Sequence, residues 1–230
     1  MNGAAPPGAR PPHADCIAAI HGSPTRAVVA VTGGGVAALQ WLLSVPGASR
    51  TMLEGTVPYA EAALRELVGG EPDGAVSVAT AAAMASACRR RAVALAVAEG
   101  LEPATPLVGV AATAALVSDR PKRGAHRAHV GLATAVATTV WTITLDKGAR
   151  DRIGEDAVVA DLVIAALAAG CAVAPDPPTA LLAGDEVTPG WPAPAHTDTG
   201  AAQDTGASQD QGASQDQGAS QDQATEEHHA

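Results

Sequence analysis

The fold is decided by the stretch AVVAVTGGGVAALQWLL, residues 27–43. Residues 27–31 are a short, uninterrupted apolar run rich in valine, which predicts a buried strand. Thr32 and three glycines follow as a turn, and residues 36–43 then predict a helix. A strand that leads through a glycine-rich turn into a helix is typical of α/β folds.

The same alternation continues along the chain on both sides of this stretch. Further helices are predicted at residues 15–21, 60–68, 78–99 and 150–171, and further strands at residues 51–59, 107–111, 127–134 and 138–145. Only a short turn separates the last two strands, which indicates a hairpin. Strands alternating with helices, together with one hairpin, predict an α/β domain with a mixed sheet covered by helices on both faces.

The core of this domain must be built from small and branched aliphatic side chains. The 230 residues are 47% hydrophobic but include no Phe, one Tyr and three Trp. Such a composition favours closely packed helices and strands over a large aromatic-lined pocket.

Charge is distributed unevenly along the chain, whose formal net charge is −10. All 14 Lys and Arg lie at or before Arg152, and residues 1–175 hold equal numbers of acidic and basic side chains. The excess acid therefore lies in the C-terminal part. A balanced domain followed by an acidic tail gives no electrostatic basis for binding nucleic acid.

The C-terminal part is repetitive and rich in proline. Residues 200–223 read GAAQDT followed by three copies of GASQDQ, and residues 174–195 contain six prolines. Because Ala is the only apolar residue of the repeat, the repeat cannot fill the interior of a solenoid, and we predict that it is disordered. We therefore divide the chain into a flexible leader (1–13), one domain (14–173), and a Pro-rich linker with a disordered acidic tail (174–230).

Cysteine and histidine spacing gives no sign of a metal site. Cys16, Cys88 and Cys171 are widely separated and form no C-x-x-C pair, while His126 and His129 lie three residues apart on a strand and should face opposite sides. We expect no metal and no cofactor. Because the apolar runs contain charges and are too short to span a bilayer, we expect a cytoplasmic protein without membrane contact.

Two segments are candidates for binding an anion. Thr32, Gly33 and Gly34 form a turn in which backbone N–H groups and a helix N-terminus could contact a phosphate, although the turn is neither a Walker A motif nor GxGxxG. The alternative is a tight turn with Thr32 as helix cap. In the loop 118–127, five of ten residues are Lys, Arg or His. Lys122 and Arg123 there either bind phosphate or belong to a solvated basic surface.

A third candidate site combines Ser49 with Tyr59, the single tyrosine of the chain. A serine hydroxyl needs a base or an electropositive setting to act as a nucleophile, and no Ser-His-Asp spacing is evident. The alternative is a turn serine and a half-buried tyrosine.

Taken together, these segments resemble the CinA C-terminal domain family, whose characterised members are nicotinamide mononucleotide deamidases. The resemblance spans about residues 14–172 and rests on five motifs in order: TGG at 32–34, VPGAS at 45–49, GTVPY at 55–59, GAVS at 74–77 and GAR at 148–150. It implies a three-layer α/β/α domain that acts on a small-molecule nucleotide, in a family whose members are often homo-oligomers.

The resemblance also implies roles for individual residues. Ser49, Tyr59 and Arg150 match positions of the deamidase site, with Ser49 as the nucleophile or a positioner of water, Tyr59 assisting proton transfer, and Arg150 holding phosphate with the basic loop.

The chain departs from the family pattern at three places. Residues 29–31 read VAV where the family usually has Glu-Ser-Cys, and Leu64 stands where a lysine is usual. Residues 111–116 and the basic loop replace a Gly-rich segment. Two functions therefore stay open. One is hydrolysis of the nicotinamide mononucleotide carboxamide in pyridine nucleotide salvage, and the other is a nucleotide-binding or oligomerisation module without catalysis.

Overall fold

The computed structural model describes residues 10–120 and 123–188. Within them lie five α-helices, one 3₁₀ turn at Ala48–Arg50, and six strands. The strands are β1 (Arg26–Thr32), β2 (Met52–Thr56), β3 (Leu107–Ala115), β4 (His126–Ala133), β5 (Thr138–Leu145) and β6 (Glu186–Val187). The helices are α1 (Ala14–Gly22), α2 (Val36–Ser44), α3 (Glu61–Val68), α4 (Val78–Ala98) and α5 (Arg152–Gly170).

The six strands form one mixed sheet in the order β2-β1-β3-β4-β5-β6. β1 runs parallel to both β2 and β3, whereas β4, β5 and β6 each run antiparallel to the strand before them. The chain leaves β1 towards β2 on one side and returns to β3 on the other. This places a topological switch point beside the carboxyl end of β1, where open α/β sheets bind ligands.

Two apolar clusters lie on opposite faces of the sheet. Alternate residues of β1 divide between them: Val29 and Val31 pack with α1, α2 and α5, while Val28 and Ala30 pack with α3 and α4. Such alternation is what a strand buried on both faces requires. The predicted three-layer domain with a mixed sheet is thereby confirmed.

Helix α4 packs unusually close to the sheet because glycines face it. A Cβ on Gly109 of β3 would lie 2.2 Å from the Ala85 carbonyl oxygen, and a Cβ on Gly131 of β4 would lie 2.7 Å from that of Ala81. The buried side of α4 is correspondingly rich in alanine. The core without phenylalanine is thus filled by close approach of the backbones rather than by large side chains.

The segment 174–188, which we call the strap, packs on the domain beyond residue 173. Asp161 of α5 is buried and accepts hydrogen bonds from the backbone N–H groups of Thr179 (2.7 Å) and Ala180 (3.0 Å). Further on, β6 pairs with β5. The composition of residues 174–195 predicted a linker, but these contacts make residues 174–188 part of the folded domain.

The N-terminal end of the domain also contacts the strap. His13 lies between Asp161 (Nε2 to Oδ1, 2.8 Å) and Asp176 of the strap (Nδ1 to Oδ2, 3.4 Å), and its side chain is 3% exposed. The hydrogen bond with Asp161 raises the pKa of His13 above its ordinary value despite burial. His13 therefore links α5, the strap and the start of α1.

Predicted and observed elements agree closely in kind. β3 extends to Ala115, four residues beyond the predicted strand, and β2 is shorter than the predicted strand 51–59. The leader at 1–9 and the repeat at 200–223 lie outside the described residues, so their predicted disorder stays a prediction. None of the described helices combines the length and apolar character that a membrane crossing requires.

Candidate functional site

A cleft of about 360 Å³ opens at the carboxyl ends of β1 and β3, on the face covered by α3 and α4. Thr32 and Gly33 line it from β1 and the following turn, and Thr113 lines it from β3. The remaining walls come from the segment 59–64 and the loop 71–76. The cleft occupies the topological switch point of the sheet, where a ligand site is expected.

Two threonines form the floor of the cleft. The Thr113 hydroxyl is buried and donates to the Ala75 carbonyl (2.6 Å), which holds the loop 71–76 against the sheet. Thr32 is 9% exposed, and its hydroxyl has no hydrogen-bond partner among the described residues. This leaves one polar group of the floor available to a ligand.

The rim of the cleft is acidic. Tyr59, Glu61 and Glu71 line it, and the tyrosine ring is 71% exposed. Arg65 lies between the two carboxylates, with Nη2 3.0 Å from Glu61 and Nε 2.7 Å from Glu71. Its charge is therefore shared by two acids of the rim.

Leu64, which stands where the family usually has a lysine, is 4% exposed and lines the cleft. It packs with the α4 side of the core. The cleft thus has an apolar wall at the position of the expected cation.

The anion site predicted at the glycine turn is filled by the protein itself. The Asp156 carboxylate of α5 accepts hydrogen bonds from Gly35 (2.7 Å), Val36 (3.2 Å) and Ala37 (3.1 Å) at the start of α2. These N–H groups and the positive end of the helix dipole are satisfied by this side chain. Thr32 and Gly33 still line the cleft, whereas Gly34 packs against Leu116.

Helix α5 holds the turns at this edge of the sheet together. Arg152 donates to the carbonyls of Gly33 (2.8 Å) and Val117 (3.2 Å), joining the turns that follow β1 and β3. The buried Glu155 accepts from the Val117 N–H (2.6 Å), and its other oxygen lies 2.6 Å from His126 Nδ1. None of Arg152, Glu155 and Asp156 was predicted as a site residue, since only the packing of α5 against the sheet reveals their partners.

Ser49 lies at the amino-terminal end of β2, whereas the cleft lies at the carboxyl ends of β1 and β3. It is exposed in the 3₁₀ turn before β2, and its carbonyl accepts from Arg26 Nη1 (2.6 Å) at the start of β1. Tyr59 follows β2 and so emerges at the cleft edge. The structure of the single chain therefore does not bring together Ser49 and Tyr59, which the resemblance places in one site.

Arg150 is committed to the strap. Its side chain is 8% exposed, with Nη1 donating to Asp185 Oδ1 (3.0 Å) and Nη2 to the Ala180 carbonyl (2.6 Å). Burial alone would raise the pKa of Asp185, but the hydrogen bonds from Arg150 and from the N–H groups of Leu182 and Asp146 lower it. The guanidinium expected to hold phosphate thus binds a carboxylate of its own chain.

The predicted basic loop is described only in part. Arg123 is exposed, and Lys122 lies outside the described residues. The two ends of the loop are fixed, because both Val117 and His126 contact Glu155.

Neither the histidines nor the cysteines offer a metal site or a nucleophile in the described part of the chain. No group of three or more His, Cys, Asp or Glu there is arranged to hold a metal. His129 contacts Thr142 of β5 (2.8 Å), and burial lowers the pKa of its imidazole. Burial also raises the pKa of Cys88 to about 12, so its sulfur stays a thiol at neutral pH.

Comparison with known proteins places these features in context. A family model described as the CinA C-terminal domain matches residues 25–166. No curated protein gives a significant match.

Several solved structures share the fold. A CinA superfamily protein from Escherichia coli is 15% identical with a TM-score of 0.53, covering 72% of this chain and 94% of that one. A CinA superfamily protein from Enterobacter cloacae is 17% identical with a TM-score of 0.51, covering 74% and 95%. A competence or damage-inducible protein from Enterobacter asburiae is 17% identical with a TM-score of 0.50, covering 69% and 94%. At such identities these structures show the fold alone.

Proposed function

Because the chain belongs to the CinA C-terminal domain family, we propose that its cleft binds a nicotinamide-type ligand and that Ser49 does not hydrolyse this ligand. The domain is then a binding member of the family rather than an amidohydrolase. The observation that carries the proposal is the separation of Ser49 from a cleft that has a free hydroxyl on its floor.

Binding is supported by the shape and chemistry of the cleft. Its volume of about 360 Å³ is in the range of small-molecule sites. The Thr32 hydroxyl can donate to or accept from a carboxamide, and the exposed Tyr59 ring offers an aromatic surface at the rim.

Loss of the family hydrolysis is supported by the side chains that line the cleft. Hydrolysis of an amide needs an activated nucleophile or water and a group that accepts its proton. Ser49 lies at the opposite end of the strands from the cleft. Leu64 lines the cleft at the position where the family usually has a lysine. Among the described residues, the cleft lining includes no histidine, cysteine or lysine, and both of its carboxylates, Glu61 and Glu71, are paired with Arg65.

The amidohydrolase function would need a second copy of the chain to supply Ser49 to the cleft. The exposed position of Ser49 allows such a contact. Ammonia release from nicotinamide mononucleotide under single-turnover conditions decides between these functions.

Binding in this cleft is tested by removing the floor hydroxyl. Thr32→Val keeps the shape of the side chain, and we expect it to weaken nicotinamide riboside or nicotinamide mononucleotide binding by about 1 kcal/mol in calorimetry, the value of one hydrogen bond. Thr139→Val, at an exposed position of β5, is the matched control and should bind like the parent. Equal affinity of both variants would place the ligand elsewhere.

A further inference from the structure

We infer that the cleft selects a phosphate-free ligand with a cationic ring, a pyridinium ribonucleoside rather than the corresponding nucleotide. The inference rests on the proposed function, namely that a nicotinamide-type ligand binds in this cleft. It follows from the charges that line the cleft and from the partners that Asp156 and Asp185 already give to two nearby anion-binding groups.

The N-terminus of α2, which follows the glycine turn predicted as an anion site, is already occupied. Three successive N–H groups, those of Gly35, Val36 and Ala37, donate to the two oxygens of Asp156. A phosphate at this position would have to displace a carboxylate that is held by three hydrogen bonds and attracted by the helix dipole.

The buried guanidinium at this edge of the sheet is occupied in the same way. Arg150 binds Asp185, and the side chains of the pair are 8% and 1% exposed. Asp185 also accepts from the backbone N–H groups of Leu182 and Asp146 (2.8 and 2.9 Å). An incoming anion would have to break a buried pair, which is strongly unfavourable.

Two arginines beside the cleft, Arg65 and Arg152, are also engaged. Arg65 contacts both Glu61 and Glu71, so the rim carries one more negative than positive charge. Arg152 donates to two backbone carbonyls. Its side chain lines a second, shallower groove next to the cleft, together with Asp119 and Asp151. The loop arginines Arg120, Arg123 and Arg127 are exposed, and none of them lines the cleft.

The residues that do line the cleft suit a cation. A pyridinium ring is positively charged, and the Glu61 and Glu71 carboxylates attract it. The exposed face of Tyr59 adds a cation–π contact. A phosphate with nearly two negative charges would instead be repelled by the same carboxylates, without a free cation among the described lining residues to compensate.

The test compares two ligands that differ only by the phosphate. Nicotinamide riboside and nicotinamide mononucleotide are titrated into the full chain by calorimetry at low ionic strength. We expect the riboside to bind about tenfold more tightly, from charge repulsion partly screened by solvent. Added salt should reduce this ratio because the carboxylates are exposed.

Charge variants separate the rim from the rest of the protein. Glu61→Gln combined with Glu71→Gln should weaken riboside binding about three- to fivefold and narrow the ratio between the ligands. Glu66→Gln removes an exposed carboxylate of the same helix that does not line the cleft, and should leave the ratio unchanged.

The outcomes are distinct. Tighter binding of the mononucleotide, or a ratio insensitive to the double variant, overturns the inference while the proposed binding function stands. If neither ligand binds, the proposed function fails and the inference with it.

Discussion

The backbone N–H of Gly35 donates to the Asp156 carboxylate across 2.7 Å. Asp156, which lies 121 residues later in the chain, thereby caps the N-terminus of α2. Val36 and Ala37 donate to the same side chain. This contact joins α2 to α5 beside the cleft. The N–H groups that follow the glycine-rich turn, predicted to bind an anion, therefore bind a carboxylate of the same chain and stabilise the fold.

Asp156→Ala should destabilise the domain by about 1–2 kcal/mol, the cost of losing a helix cap, because three N–H groups lose their acceptor. Urea unfolding monitored by circular dichroism measures this change. Asp119→Ala removes an exposed carboxylate nearby and should change the free energy of unfolding by less than about 0.5 kcal/mol. Equal effects of the two substitutions would show that the cap contributes no stability.

Truncation should separate the strap from the repeat tail. A chain that ends at Thr188 keeps every strap contact, and we expect its unfolding free energy to match the full chain within about 0.5 kcal/mol. A chain that ends at Gly184 loses Asp185 and leaves Arg150 without its carboxylate. We expect it to be destabilised by about 3 kcal/mol, as for a broken buried ion pair.

Thermal and urea unfolding of the two truncated chains provide the measurement. Since both lack the tail, their difference reports only residues 185–188. A loss of stability in the longer chain would show that residues after 188 also stabilise the domain.

His13 should make the stability depend on pH. The folded-state pKa of His13 is raised by Asp161, so its contribution is fully present below the unfolded pKa of about 6.5 and is lost as the pH rises through the folded pKa. The free energy of unfolding should therefore fall more from about pH 6 to about pH 8.5 in the parent than in His13→Asn.

Asparagine is the suitable replacement because position 13 has a left-handed backbone, with φ 58°. His21 and His129 have lowered folded-state pKa values and act with the opposite sign, losing stability as the pH falls below about 6.5. Both proteins share them, so the difference between parent and variant isolates His13. Parallel pH profiles would contradict the assignment.

Much of the fold could be predicted from local sequence. The valine-rich run of β1, the glycine turn and α2 were assigned within one residue of their observed bounds, because hydrophobic periodicity and turn residues act locally. The strap was not predicted. Its proline-rich composition indicates a linker, and its stability comes from Asp161 and Arg150, whose proximity depends on the tertiary fold.

The candidate site was less predictable for a similar reason. Residues before and after a strand emerge at opposite ends of it, so Ser49 and Tyr59 are separated by the five residues of β2, or about 16 Å at 3.3 Å per residue. Arg150 is paired with Asp185, and the N-terminus of α2 is capped by Asp156. Both carboxylates are distant in sequence from the groups they bind, so local sequence does not reveal these contacts.

The central claim is that the cleft binds its ligand without hydrolysis by Ser49, and the most direct measurement is ammonia release under single-turnover conditions. Excess protein is mixed with nicotinamide mononucleotide or nicotinamide riboside at concentrations where calorimetry shows binding. We predict that no ammonia forms with the parent, and that Leu64→Lys does not change this, because a lysine in the cleft remains far from Ser49. Ammonia released by the parent and lost in Ser49→Ala would contradict the account and show an amidohydrolase whose serine reaches the ligand.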